Sequence, residues 1–307
     1  MTIRLSWPSQ ASKGLTAIEI YRKEGWNATI DVYNPGAPHA TLSGNAVEFV
    51  DNIDTLTKNT TYRYWVAAVK DSERLIGNPI TQGFYPDTGP GPQTILRGDW
   101  ASGYFGTVPN TEFFNTAELK LMLTAQQGNM FVYDPQEWHK FIFRGRIVFF
   151  PATMHSKTNS VQMAYQYGMM YGTDDDGSIV PLGATATKQD CKVTKDGRTY
   201  RIRLPYAVPY DAAISGQDYN NGEWRNTMGR LYPVGAQFSP IGLGAIDSIP
   251  PQGSTAQPNE TGAAALAPLW SNNIYAYAYA YGPMVISNSS AVGNSTTIFF
   301  AFELVLP

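Results

Sequence analysis

The chain has 307 residues, 22 basic and 25 acidic, with a net charge of −3, only 15% charged residues and a single cysteine. Neither half is a polycation (8 basic and 9 acidic residues up to position 94, 14 and 16 after it), which excludes the electrostatic footprint of a nucleic-acid binder. The lone Cys191 excludes an internal disulfide and a cysteine-based metal site. The 28 Gly, 21 Pro and 19 Tyr point to a β-rich chain long enough for two ordinary domains. Around Trp7-Pro8 the N-terminus alternates polar and apolar residues and lacks the apolar stretch of a signal peptide. No run reaches the roughly 18 apolar residues of a spanning helix, so no membrane insertion is expected.

Residues 1–85 read as a β-sandwich. Ile3, Leu5 and Trp7 alternate as one strand, residues 17–22 form the next, and 47–51 another. After a turn-rich lead-in, Tyr62, Tyr64, Val66 and Ala68 alternate with Arg63, Trp65 and Ala67, placing the two sets on opposite faces of a strand. Leu56 precedes Tyr62 by six residues, the spacing at which a tyrosine tucks under the preceding turn and its hydroxyl reaches backbone. Residues 86–94 hold three Pro and two Gly and read as a semi-stiff connector.

Residues 95–307 mix helices and strands. Asn115-Thr-Ala-Glu118 is a capping box ahead of Leu119 and Met122. Asp134-Pro135-Gln136-Glu137 has the form of a second helix start, with Trp138, Phe141 and Ile142 on one face and Gly145 as its stop. A buried strand over 146–151 follows, then a helix over about 159–170. Asp174-Asp175-Asp176-Gly177 is a turn, 200–205 a half-exposed strand, and Glu223-Trp224 opens a short helix. Residues 235–268, rich in Gly, Pro, Ala and Ser, read as a long loop. Tyr275, Tyr277, Tyr279 and Tyr281 alternate with alanines in a strand, and 297–306 is a closing strand.

Two resemblances rest on these stretches. The Leu56–Tyr62 corner, Trp7 and Tyr21 closely resemble a fibronectin type III module, with Lys58 where that family places Pro. Further on, five features occur in the order seen in a C-type lectin-like α+β domain of tailed-phage virion proteins. They are Trp138 leading to the Phe-rich run that ends in Pro151, a helix ending at Tyr171-Gly172, the strand from Tyr200 to Pro205, Glu223-Trp224, and Glu303-Leu304. Phe300-Ala301-Phe302 stands where that family often has Trp-Arg-Pro. The implied fold class is mainly β with an α+β second domain: a fibronectin type III-like sandwich over 1–85, the connector 86–94, and a C-type lectin-like domain over 95–307. The calcium- and sugar-binding motifs of the lectins proper are missing. So is the second cysteine of the oxygenase-like relatives, and neither activity is implied.

No convergent catalytic set stands out. His39, His139 and His155 have no metal-ligand spacing, and His139 is expected on the outer side of the Trp138 helix. The Asp174–Gly177 run lacks the periodic ligands of a cation loop and reads as a solvated turn. Glu223 and Asp218 form a conceivable acid–base pair, but Glu223 reads better as a first-turn carboxylate at the positive end of a helix. Arg97-Gly98-Asp99 reads as the entry to the second domain. Tyr275, Tyr277, Tyr279 and Tyr281 are the binding or interface candidates, since phenols offer large contact area with a polar handle.

The expected function is a non-enzymatic structural protein of a bacteriophage virion: tail fibre, baseplate or capsid decoration. It is assembled in the host cytoplasm and exposed on the particle. Its partners are other virion proteins and copies of itself, a trimer being one such homo-oligomer. No metal or other cofactor is expected. The alternative is an adhesin that recognises a host cell-surface glycan.

Overall fold

The computed structural model describes residues 2–152, 155–156, 159–210, 219–231, 263–279, 286–293, 295–296 and 298–307. The chain is mainly β, with antiparallel sheets and, among the described residues, four short α-helices. One compact unit comprises Met1–Thr88, Asp99–Ala101 and Leu306–Pro307. The other comprises Gly89–Gly98 and Ser102–Val305.

The strands of the first unit are β1 (Arg4–Ser6), β2 (Ala17–Glu24), β3 (Ala40–Ser43), β4 (Glu48–Val50), β5 (Thr60–Lys70), β6 (Glu73–Ile76) and β7 (Ile80–Phe84). β1 pairs with β4. The others form a second sheet in the order β3-β2-β5-β6, with β7 also on β5. The alternation along β5 is realised. Tyr62, Tyr64, Val66 and Ala68 join Ile3, Leu5, Ile18, Ile20, Leu56 and Phe84 in one core. Trp65 and Ala67 on the other face pack with Tyr21, Ile30 and Ile76. The Thr57 N–H donates to the Tyr62 hydroxyl at 2.6 Å, and that hydroxyl donates to Glu24 at 3.1 Å, so the corner has formed as its spacing predicts.

The second unit contains β8 (Arg97–Gly98), β9 (Ser102–Pro109), α1 (Thr116–Met122), α2 (Ala125–Gly128), β10 (Glu137–Phe143), β11 (Arg146–Pro151), β12 (Asn159–Ser160) and α3 (Val161–Gln166). It continues with β13 (Lys192–Lys195), β14 (Arg198–Arg203), α4 (Glu223–Asn226), β15 (Ala263–Ser271), β16 (Ile274–Tyr279), β17 (Ile286–Ala291), β18 (Ser295–Thr296) and β19 (Ala301–Leu304). Seven strands make one antiparallel sheet in the order β13-β14-β19-β11-β10-β9-β8. β15-β16-β17 is a separate three-stranded sheet, and β12 pairs with β18. The Asn115/Glu118 capping box is present at α1, and Ser160 caps α3 through the Met163 N–H.

The segment after Asp134 is a strand, not a helix. β10 is bonded to β9 and β11, and six of its seven residues are buried, so it reads as an apolar run without strand alternation. Arg144 and Gly145 have φ of 50° and 84°, the positive pair a two-residue hairpin needs, and turn the chain into β11. Asp134 does cap a helix, but a different one: its carboxylate accepts from the Thr116 N–H of α1 at 2.9 Å. The expected loop also ends early, because residues 263–268 belong to β15; residues 232–262 lie outside the described set.

Aromatic rings fill the core. Phe113 stacks on Phe149 at 4.4 Å and meets Trp138 and Tyr200 edge-on at 5.0 Å, and Trp138 meets Phe302 at 4.8 Å. The Pro/Gly segment is anchored beside this core. Lys140 is fully buried, lies 4.9 Å from the Phe105 ring, and donates to the carbonyls of Gly89, Pro90 and Pro92 at 3.3, 2.9 and 2.7 Å. From Gly89 on, the residues read as a connector therefore pack as part of the second unit.

Candidate functional site

A chain of alternating charge, buried at Arg203 and Glu223 and partly open to solvent at Arg146, occupies the face formed by β11, β19 and β14 together with α4. Arg203, at the end of β14, grips Glu223 with two bonds of 2.7 Å and gives its Nε to Glu303 of β19 at 2.7 Å. Arg146 of β11 closes on the same Glu303 at 3.1 and 3.2 Å. Neither Arg203 nor Glu223 exposes any of its side chain. The Tyr206 N–H donates to Glu223 at 3.0 Å, the Tyr210 hydroxyl donates to it as well, and the Arg146 guanidinium stacks 3.8 Å above the Tyr210 ring. Burial pushes the Glu303 carboxyl up, but Arg203 and Arg146 outweigh it and hold the group below its usual range. Burial and the Glu223 carboxylate push the Tyr210 phenol well above its ordinary value.

Glu223 lies in the first turn of α4, as its place in the sequence predicts, and the structure adds the charged partner that the sequence did not name. Its partners are Arg203 and two tyrosines, and its acceptor positions are taken. Asp218, its conceivable catalytic partner, lies outside the described residues.

The histidines are dispersed. His39 bonds the buried Asp51 at 3.0 Å; Asp51 also takes Arg22 at 2.9 Å and the Tyr64 hydroxyl at 2.5 Å. His139 is buried on β10, against the expectation of an outer helical face, with Nδ1 at 3.1 Å from the Tyr104 hydroxyl. His155 is fully buried among Phe131, Trp138, Phe299, Phe300 and Phe302, and neither ring nitrogen has a partner among the described residues. Burial lowers His139 to about 4 and His155 to about 3. Among the described residues no group of three or more His, Cys, Asp or Glu is placed to hold a metal ion. Burial raises the Cys191 thiol to about 12, so it is not a poised nucleophile. Asp174, Asp175 and Asp176 are exposed, and Asp174 pairs with Arg201 at 3.1 Å.

β16 is the central strand of its sheet. It carries Tyr275 in register with Leu269 and Ser290, Tyr277 with Ala265 and Ser287, and Tyr279 with Ala263; Tyr281 lies outside the described residues. The register with β17 slips between Tyr275 and Tyr277, where two residues of β16 oppose three of β17.

A groove of about 530 Å³ opens between α2, the end of α3 and the segment before β13, and sequence reasoning missed it. Its walls include Gln126, Gln127, Gln166, Tyr167, Lys188 and Asp190. Gln127 ties two of those walls together, donating to the Tyr167 carbonyl at 2.9 Å while its own carbonyl completes the α2 capping box. No protein-family model, curated protein or solved structure matches the chain.

Proposed function

We propose that the chain is a non-enzymatic structural protein of a bacteriophage virion: a tail fibre, baseplate or capsid-decoration component that docks on the particle and mediates protein or host-surface contacts. In this reading the first unit is a fibronectin type III-like sandwich and the second a C-type lectin-like α+β domain. The reading is supported by one convergence. Three of the motifs behind the second resemblance contribute Arg203, Glu223 and Glu303, up to 100 residues apart, and all three belong to one ion chain. A fourth, led by Trp138, packs on Phe302 beside it in sequence. Scattered chance similarities have no reason to meet in space, whereas residues that build one core do. The same geometry favours a structural role for Glu223, since a sealed carboxylate with its acceptor sites filled offers no face to a substrate. Self-association, as a trimer or another closed ring, follows the habit of such particles. Mass spectrometry of purified particles is the test. The protein should be present in fixed copy number, and recombinant chain should bind particles that lack it; its absence from purified particles refutes the reading.

A further inference from the structure

The groove between α2 and α3 is built rather than incidental. The fully buried Gln189 amide accepts from the Met170 N–H at 3.0 Å and donates to the carbonyls of Tyr165 and Thr187 at 2.9 and 2.7 Å, pinning one wall to the end of α3. At Gly168, with φ of 72°, a Cβ would sit 2.7 Å from the Lys188 carbonyl, so the two backbones cross in contact. With Gln127 bridging the opposite side, the walls hold their shape without a ligand.

The groups left over define the chemistry. Gln126 and Gln166 are exposed and have no partner among the described residues, and Tyr167 is half-buried beside them. The charged residues of the lining are one cation and one anion, Lys188 and Asp190, 3.4 Å apart, and Asp190 is held from behind by Lys192 and Arg201, so the lining itself carries no net charge. Planar amides with a phenol ring are the groups that bind vicinal hydroxyls and stack on the apolar face of a sugar ring. The volume lies within the usual range of small-ligand sites, roughly 300–1,000 Å³. The geometry points to a metal-independent site for a neutral saccharide of one or two rings, with Gln126, Gln166 and Tyr167 as its contacts. This gives the glycan-recognition alternative a site, and a different one from Tyr275–Tyr281. Its failure leaves the virion reading intact, because that reading is tested on particles.

Saturation-transfer NMR on the intact chain tests the site. The probes are the methyl glycosides of glucose, galactose, mannose and N-acetylglucosamine, with maltose and lactose; N-acetylneuraminic acid and inorganic phosphate serve as charged comparators. At least one neutral sugar is expected to saturate with a millimolar Kd, unchanged by EDTA. Gln166→Ala and Tyr167→Ala should each weaken it about tenfold with an unchanged thermal midpoint, and Tyr277→Ala should leave it unaltered. The site is overturned if no neutral sugar saturates by about 50 mM, if EDTA abolishes binding, if the charged comparators bind more tightly, or if binding follows Tyr277 rather than Gln166 and Tyr167.

Discussion

Arg203 and Glu223 face each other through two bonds of 2.7 Å with neither side chain open to solvent. A pair so placed is harmed far more by losing one member than by losing both, since a single replacement strands a buried charge. Glu223→Gln should cost about 3–5 kcal/mol, read as an earlier unfolding transition of the second unit in urea. Arg203→Met combined with Glu223→Leu should lose less than the sum of the two single changes. Strict additivity would mean that the two residues do not act as a pair.

Lys140 does for the Pro/Gly segment what a strand partner does for a ladder. Its ammonium has three donors, and the carbonyls of Gly89, Pro90 and Pro92 take them inside a closed site. Lys140→Met keeps the stem but removes the ammonium that ties those carbonyls together, Gly89 alone keeping a second donor in the Gln93 amide at 2.8 Å. A loss of about 3 kcal/mol or more is expected, with new proteolytic cleavage within 86–94. A variant as resistant as the parent chain would show that the segment is held by other contacts.

What could be read from sequence was whatever is local. The Leu56–Tyr62 spacing, the Asn115/Glu118 capping box and the alternation along β5 all involve residues within one turn or one strand, and the structure realises them. Asp134-Pro135 misled because a helix-start signal is also an ordinary turn signal, and the neighbours β9 and β11 decided between the two. The Arg144-Gly145 hairpin was the overlooked evidence, as was Asp196-Gly197, with φ of 51° and 74°, between β13 and β14. Periodicity names the face a residue occupies but not its partner. Glu303 is 100 residues from Arg203, and the groove draws on segments near 126, 166 and 188, so neither could be assembled from spacing alone. A lysine inside the apolar run of β10 was the one visible hint of the Lys140 clamp.

The Tyr62 hydroxyl secures the turn after Leu56 by accepting from Thr57 and donating to Glu24. Tyr62→Phe keeps the ring in the core and removes only those bonds, so about 1–2 kcal/mol should go from the first unit. Leu56→Ala removes packed volume and should cost more, about 2–5 kcal/mol. Equilibrium denaturation of the two variants side by side checks the order; a larger loss for Tyr62→Phe would make the hydroxyl, not the packing, the main support.

His155 makes the second unit sensitive to mild acid. Its ring is buried among phenylalanines and a tryptophan, and burial lowers it from 6.5 to about 3. The unfolded chain therefore takes up a proton near pH 6.5 that the folded chain refuses until about pH 3. Stability from this group is complete above pH 6.5 and is lost as the pH falls through that window, by up to about 1.4 kcal/mol per pH unit. His139, lowered to about 4, adds in the same direction. Asp51 and Glu303 are also lowered, despite burial, by their hydrogen-bonded and charged partners. Their contribution is present above the unfolded carboxylate range and fades only below about pH 4. The interval between about pH 6.5 and about pH 4.5 thus belongs to the histidines. Urea unfolding of the parent chain should show a falling second-unit midpoint across that interval, and His155→Phe should flatten the slope. An equal slope in the variant would mean that the proton enters elsewhere.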